Sequence, residues 1–179
     1  MAEEPRKKRT KRRKANDPYD DYILIGHDAA QSEGPAARVL STFTLYGPED
    51  GPVSTEYLLQ REKTEFIKDQ DDRARYVANL ERAWKSNRNS KESRELGANA
   101  NIEEHDWVEE REDIMLALLL HREAHDSSFR QALTRTGTCA LLQKGRGEWG
   151  MAFVGGKAVG ENLYGKVLEG IRASMPTNE

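Results

Sequence analysis

The sequence predicts an α+β fold, a mostly helical single domain built around a small β-sheet. Three observations point there. Helical segments outnumber strand segments, and the strands do not alternate with helices as a doubly wound parallel sheet requires. The third is a failed motif, "GRGEWG" at 145–150, a formal match to G-x-G-x-x-G. That motif holds a dinucleotide only where it follows a strand and opens a helix, whose free amides meet the pyrophosphate. "TCALLQK" (138–144) supplies the strand, but "MAFVGG" follows, which reads as a second strand. No acidic residue closes a later strand for a ribose hydroxyl. The glycines are therefore read as a hairpin turn, with Trp149 at the start of the second strand.

The elements follow in order. Tyr22 to Ile25 is a brief apolar run and reads as a strand; "ARVLSTFTLYG" (37–47) reads as another, ending at the turn "GPEDGP". "VSTEYLLQREKTEFI" is a helix capped by Ser54 or Thr55, with Leu58, Leu59 and Phe66 on one inward side. "DQDDRARYVANLERAWKS" repeats the pattern through Tyr76, Leu80, Ala83 and Trp84. "NRNSKESRELGANANIEE" is polar and broken, with one helical turn ending at Gly97. The longest helix is "EEHDWVEEREDIMLALLLHREAHD", where Trp107, Arg111, Met115, Leu118 and Leu119 recur at three and four. "SSFRQALTRTG" is a short helix capped by Ser127 or Ser128 and closed at Gly137. After the hairpin, "GENLYGKVLEGIRASM" carries a stripe of Leu163, Val167, Leu168 and Ile171. No internal repeat is visible.

Composition narrows the class. The chain has 179 residues, 33% charged and 36% hydrophobic, with no apolar run of membrane-spanning length. One domain is expected over 19–175, between a disordered tail at 1–18 and a disordered end at 176–179. No secretory signal is visible, and the single Cys139 excludes an internal disulfide framework, which suits an intracellular, reducing compartment. Cys139 itself reads as a small buried hydrophobe. "RKKRTKRRK" (6–14) has eight basic residues in nine. Residues 1–14 carry +6 against −3 for the whole chain, so residues 15–179 stand near −9. The run from Arg6 to Lys14 resembles a nuclear-import signal, which places the protein in the nucleus or cytoplasm. Contact with nucleic-acid phosphates and a plain solubilising role are the alternatives. The acidic body argues against a domain whose main surface binds nucleic acid.

Individual chemical signals are weak. His121 and His125 have metal-ligand spacing in "HREAH", but Arg122 occupies the place of a general-base glutamate and no third ligand is signalled. Two solvated histidines near a helix C-terminus are the better reading, and no metal or other cofactor is implied. Asp106 beside Trp107 offers a charge and a stacking face, or equally a helix cap and a core residue. Glu56 reads as a first-turn acid facing the helix dipole.

Their order along the chain carries more. "STEYLLQREK" has Glu56, Gln60 and Lys63; "SRELG" has Arg94 and Gly97; "HDWVEEREDIM" has Asp106, Trp107 and Met115. "LTRTG", Trp149-Gly150 and "GENLYGKVLEGIR" follow. This series, over residues 40–172, resembles the NADAR superfamily of YbiA-like N-glycosidases. The resemblance implies a small-molecule partner, a ribosylated and phosphorylated nucleotide or an ADP-ribose adduct, whose N-glycosidic bond is hydrolysed. Phosphorylated riboflavin-pathway intermediates and ADP-ribosylated guanine are substrates known in the family.

Cleaving an N-ribosidic bond builds positive charge on the sugar, which a carboxylate stabilises while activating water. Glu56 is the first choice for that carboxylate and Asp106 the second. Trp107 and Trp149, with Gly150, wall the ligand. The resemblance implies that Lys63 and Lys166 meet phosphate, that Asn162 meets a ribose hydroxyl or phosphate oxygen, and that Gln60 is a further substrate-binding residue. Three positions depart from the family pattern: Tyr57 replaces a histidine, Thr42 an asparagine, and Gln143 a strand glutamate. Loss of one acid from a two-acid site also admits a second reading, a module that binds ADP-ribose or a related nucleotide without cleaving it. A third reading is a basic-tailed adaptor with an inert domain.

Overall fold

The computed structural model describes residues 22–26, 34–48, 51–145, 147–154 and 157–176. The tail expected at 1–18 and residues 177–179 lie outside this set. Strand β1 (Tyr22–Ile25) pairs in parallel with β4 (Ala140–Gln143), with Ile25 opposite Gln143. Between them run helix α1 (Gly34–Leu40), the short antiparallel pair β2 (Leu45–Tyr46) and β3 (Val53–Ser54), and α2 (Thr55–Glu62), which tightens into a 3-10 turn (Lys63–Phe66). Then come α3 (Gln70–Asn87), α4 (Ser90–Ala98), α5 (Glu104–His125) and α6 (Ser127–Arg135). After β4, β5 (Ala152–Val154) pairs antiparallel with β6 (Lys157–Val159), and α7 (Leu163–Ser174) closes the domain. Helices dominate and the strands are small, an α+β architecture. Among the described residues no helix is long and apolar enough to cross a membrane.

Two apolar clusters share α2. The larger gathers Ile25, Leu40, Leu59, Trp107, Met115, Leu119, Phe129, Leu141, Tyr164 and Leu168; the smaller gathers Tyr57, Ile67, Tyr76, Leu80 and Trp84. Leu59 and Phe66 enter the first, whereas Leu58 packs against the second, so the three do not share one side. Tyr57 stacks on Trp84 with ring centroids 4.2 Å apart.

Four local expectations change. Within the expected strand 37–47 only Leu45–Tyr46 is a strand; residues 37–40 belong to helix α1, where Ala37 and Leu40 sit three apart and are both fully buried. Its C-terminal carbonyls are completed from outside: Arg122, fully buried, donates to Val39 O (2.7 Å) and Ser41 O (3.0 Å) and pairs with Asp126. A buried guanidinium needs such partners, so Arg122 is a structural brace. The broken polar stretch holds the nine-residue α4, started by Asn89, whose side chain accepts from Lys91 N and Glu92 N. Helix α6 is capped by Asp126, whose carboxylate takes the Ser128 and Phe129 amides, and not by either serine.

The fourth change concerns the hairpin. Strand β4 does not pair with β5, because the β4 edge facing away from β1 is already filled. Leu141 N donates to Glu169 Oε1 (2.7 Å), Leu141 O accepts from Asn162 Nδ2 (2.8 Å), and Gln143 N donates to Asn162 Oδ1 (2.9 Å). Only Gln143 O is left for the returning chain, and Met151 N takes it at 2.7 Å. Buried backbone groups must be paired, and here α7 side chains do what a neighbouring strand would do. Residues 147–150 are therefore a loop that carries Trp149, and the antiparallel pair is β5 with β6.

Candidate functional site

Helix α2 begins at Thr55 because Ser54 is extended and its Oγ accepts the Tyr57 N–H at 3.1 Å. Ser54 is itself held by Ser90, hydroxyl to hydroxyl at 2.8 Å. From that start, Glu56, Gln60 and Lys63 fall at i, i+4 and i+7 on one face. That face looks into a cavity of about 170 Å³, lined also by Thr42, Leu59, Arg94, Ala98, Trp107, Met115, Gln143, Gly145, Trp149, Gly150 and Tyr164. Elements far apart in sequence meet there: α2, α4, α5, β4, the loop residues Trp149 and Gly150, and α7.

Glu56 is only 6% exposed, and its Oε1 accepts from Gln60 Nε2 at 2.8 Å. Its backbone N–H donates to Thr42 O at 3.0 Å. Burial pushes its carboxyl above the ordinary carboxylate range; Gln60, then the Arg94 charge, Thr42 and Lys63 pull it part of the way back. Gln60 is pressed in turn against Gly97, where an added Cβ would lie 1.6 Å from its Oε1. Only glycine admits that approach.

Lys63 Nζ donates to Gly97 O at 3.3 Å and lies 4.9 Å from the centre of the Trp107 ring. Burial lowers its pKa, against the pull of Glu56, Glu104 and Glu148. Trp107 is buried and meets Phe66 edge to face at 5.4 Å. Tyr164 also lines the cavity, its hydroxyl donating to Leu40 O at 2.5 Å. Among the described lining residues Glu56 is the only carboxylate. The arrangement offers one buried acid, three aromatic side chains and two cations.

The structure thus brings together Glu56, Gln60, Lys63, Trp107, Trp149 and Gly150, and leaves three expected residues elsewhere. Asp106 is exposed in the first turn of α5. Neighbouring helical residues differ by about 100° around the axis, so burying Trp107 turns Asp106 outward. Asn162 is 5% exposed, but its amide is consumed by β4, and its φ of 55° sets the left-handed corner before α7. Lys166 is exposed and does not line the cavity. His121 and His125 stack at 4.3 Å, and among the described residues no group of three potential metal ligands forms.

Arg94, Met115 and Tyr164 line the cavity without having been assigned there. Arg94 stood in the "SRELG" turn, three residues before Gly97, and that spacing on a helix was the available signal. Two of the three departing positions, Thr42 and Gln143, are also in the wall, whereas Tyr57 belongs to the second apolar cluster. The sequence model of the NADAR domain matches residues 51–176, from β3 through α7. No curated protein matches the chain.

Proposed function

Because the chain belongs to the NADAR domain family, we propose that it hydrolyses the N-glycosidic bond of a ribosylated, phosphorylated nucleobase derivative. The observation that carries this reading is Glu56, a buried acid in a cavity that Trp107, Trp149, Lys63 and Arg94 also line. In the proposed step the bond from the sugar C1′ to the base nitrogen breaks, and its electron pair leaves with the base. Positive charge spreads over C1′ and the ring oxygen, and the ionised Glu56 stabilises it. Water then attacks C1′, Glu56 accepts its proton, and that proton passes to the nitrogen of the departed base, which restores the carboxylate. A carboxylate raised above its ordinary range is a stronger base than a solvated one.

Size and charge support the same class of substrate. A cavity of about 170 Å³ is smaller than the ~300–1,000 Å³ typical of drug-sized ligand sites. It encloses the reacting ring and leaves the remainder of a nucleotide at the mouth. Trp107 and Trp149 offer planar faces to a base, and Lys63 and Arg94 offer cations to phosphate. Riboflavin-pathway intermediates and ADP-ribosylated guanine both have this form.

The test is chromatography of each candidate after incubation with the purified protein, reading release of free base. Glu56→Gln keeps the shape and is expected to cut the rate about a hundredfold or more with binding nearly preserved. An unchanged rate removes Glu56 from the mechanism. One observation favours a second reading: Gln143 lines the cavity where the family pattern has a glutamate. If ADP-ribose binds in calorimetry and no candidate releases base, the protein is a nucleotide-binding module.

A further inference from the structure

The loop that carries Trp149 is held from two sides. The consecutive carbonyls of Glu148, Trp149 and Gly150 accept the N–H groups of Leu163 (2.9 Å), Tyr164 (3.4 Å) and Asn162 (3.2 Å). These are amides that the start of a helix leaves without intrahelical partners. On the other side Arg111 Nη1 meets Glu148 Oε2 at 2.6 Å. Arg111 is 7% exposed, and its Nε has no hydrogen-bond partner among the described residues. It lies one turn after Trp107 and one turn before Met115 on α5, and both of those line the cavity while Arg111 does not.

A guanidinium nine-tenths buried against one carboxylate contributes little to stability, because desolvation offsets much of the attraction. Its geometric effect is larger, since it joins the two elements that present the two tryptophans. We propose that Arg111 is a positioning residue, which through Glu148 sets the gap between Trp107 and Trp149 and so the grip on the planar part of the ligand. The effect on the ligand rests on the function proposed above; the effect on Trp149 does not.

The full chain labelled with 5-fluorotryptophan gives one fluorine resonance for each of its three tryptophans, assigned by single Trp→Phe variants. Arg111→Met removes the cation and leaves Glu148, already partly exposed, free to hydrate. The Trp149 resonance is expected to shift or broaden while that of Trp84, in the other apolar cluster, stays in place. KM for the cleaved nucleotide, or Kd for ADP-ribose if nothing is cleaved, should rise about tenfold, with kcat changed by less than about twofold. If Arg111→Met does not fold, Glu148→Gln carries the same readout with smaller shifts in the same direction. An unmoved Trp149 resonance overturns the proposal, as does a fall in kcat at constant KM. If the unaltered protein neither cleaves nor binds a nucleotide, the proposed function falls, and the resonance alone decides the role of Arg111.

Discussion

Glu56 is held where its charge is disfavoured, and that has a measurable consequence apart from catalysis. Its folded pKa is raised, chiefly by burial. Its contribution to stability is therefore full below the unfolded value and is lost as pH rises through the folded one. Glu56→Gln, neutral throughout, should melt above the unaltered protein at neutral pH, by about 2–4 °C for each ~1 kcal/mol. The gap should narrow on acidification. A variant that melts lower at pH 7 would show that the site does not strain this carboxylate. By the same sign, the acidic limb of the rate profile should lie above the ordinary carboxylate range, since the base role needs the ionised form. Gly97 tests the support behind it. Gly97→Ala drives a methyl into Gln60, which has to release Glu56, so activity should fall at least about tenfold. Adding Gln60→Ala should restore melting temperature by making room, but not activity. Recovery of both would show that the Gln60 hydrogen bond is dispensable.

At the scale of elements, α7 and β4 act as one unit. Asn162 fills two backbone positions of β4, and Glu169 a third, so a helix closes a sheet edge. Gly165 lets the helix approach, since a Cβ there would lie 1.9 Å from Leu141 O. Asn162→Ala removes both amide bonds and leaves buried backbone groups unpaired, at a cost of about 2–4 kcal/mol in unfolding measurements. Ligand affinity of the remaining folded fraction should change less than stability does. Were the residue a ligand contact instead, affinity would fall while the melt stayed put. Arg172 makes a similar tie, donating to Thr136 Oγ1 (2.8 Å) and Cys139 O (2.9 Å). The closing motif "GENLYGKVLEGIR" is thus largely a device for fastening α7, and its value to the site is the place it gives Tyr164 and the Trp149 loop.

At the scale of the whole molecule, the charge divides between a basic run and an acidic body. Residues 6–14 contain no apolar side chain to pack, so their deletion should leave melting temperature and hydrolysis of a small substrate unchanged. If the run directs nuclear import, a fluorescent fusion lacking it spreads into the cytoplasm. If it holds DNA or RNA near the cavity, activity on polymer-linked ADP-ribose falls on deletion, and full-length activity there drops steeply with salt as counterions rebind phosphate. If neither changes, the run only solubilises the chain.

The sequence by itself determined the helices with strong periodicity and the α+β class. These depend on spacing within one segment, which a helix converts directly into a common direction. It also determined the family, because motif order survives without coordinates. Tertiary structure alone decided the rest. Residues 34–40 are too short for periodicity to separate helix from strand, and Arg122, more than eighty positions away, completes that helix. The expected hairpin failed because Asn162 and Glu169 had already occupied the edge it needed, a competition no local window contains. Asp106, Asn162 and Lys166 were plausible by residue type, yet a site is a shared direction as well as a chemistry. Burying Trp107 turned Asp106 away, β4 consumed Asn162, and the outer face of α7 kept Lys166 in solvent.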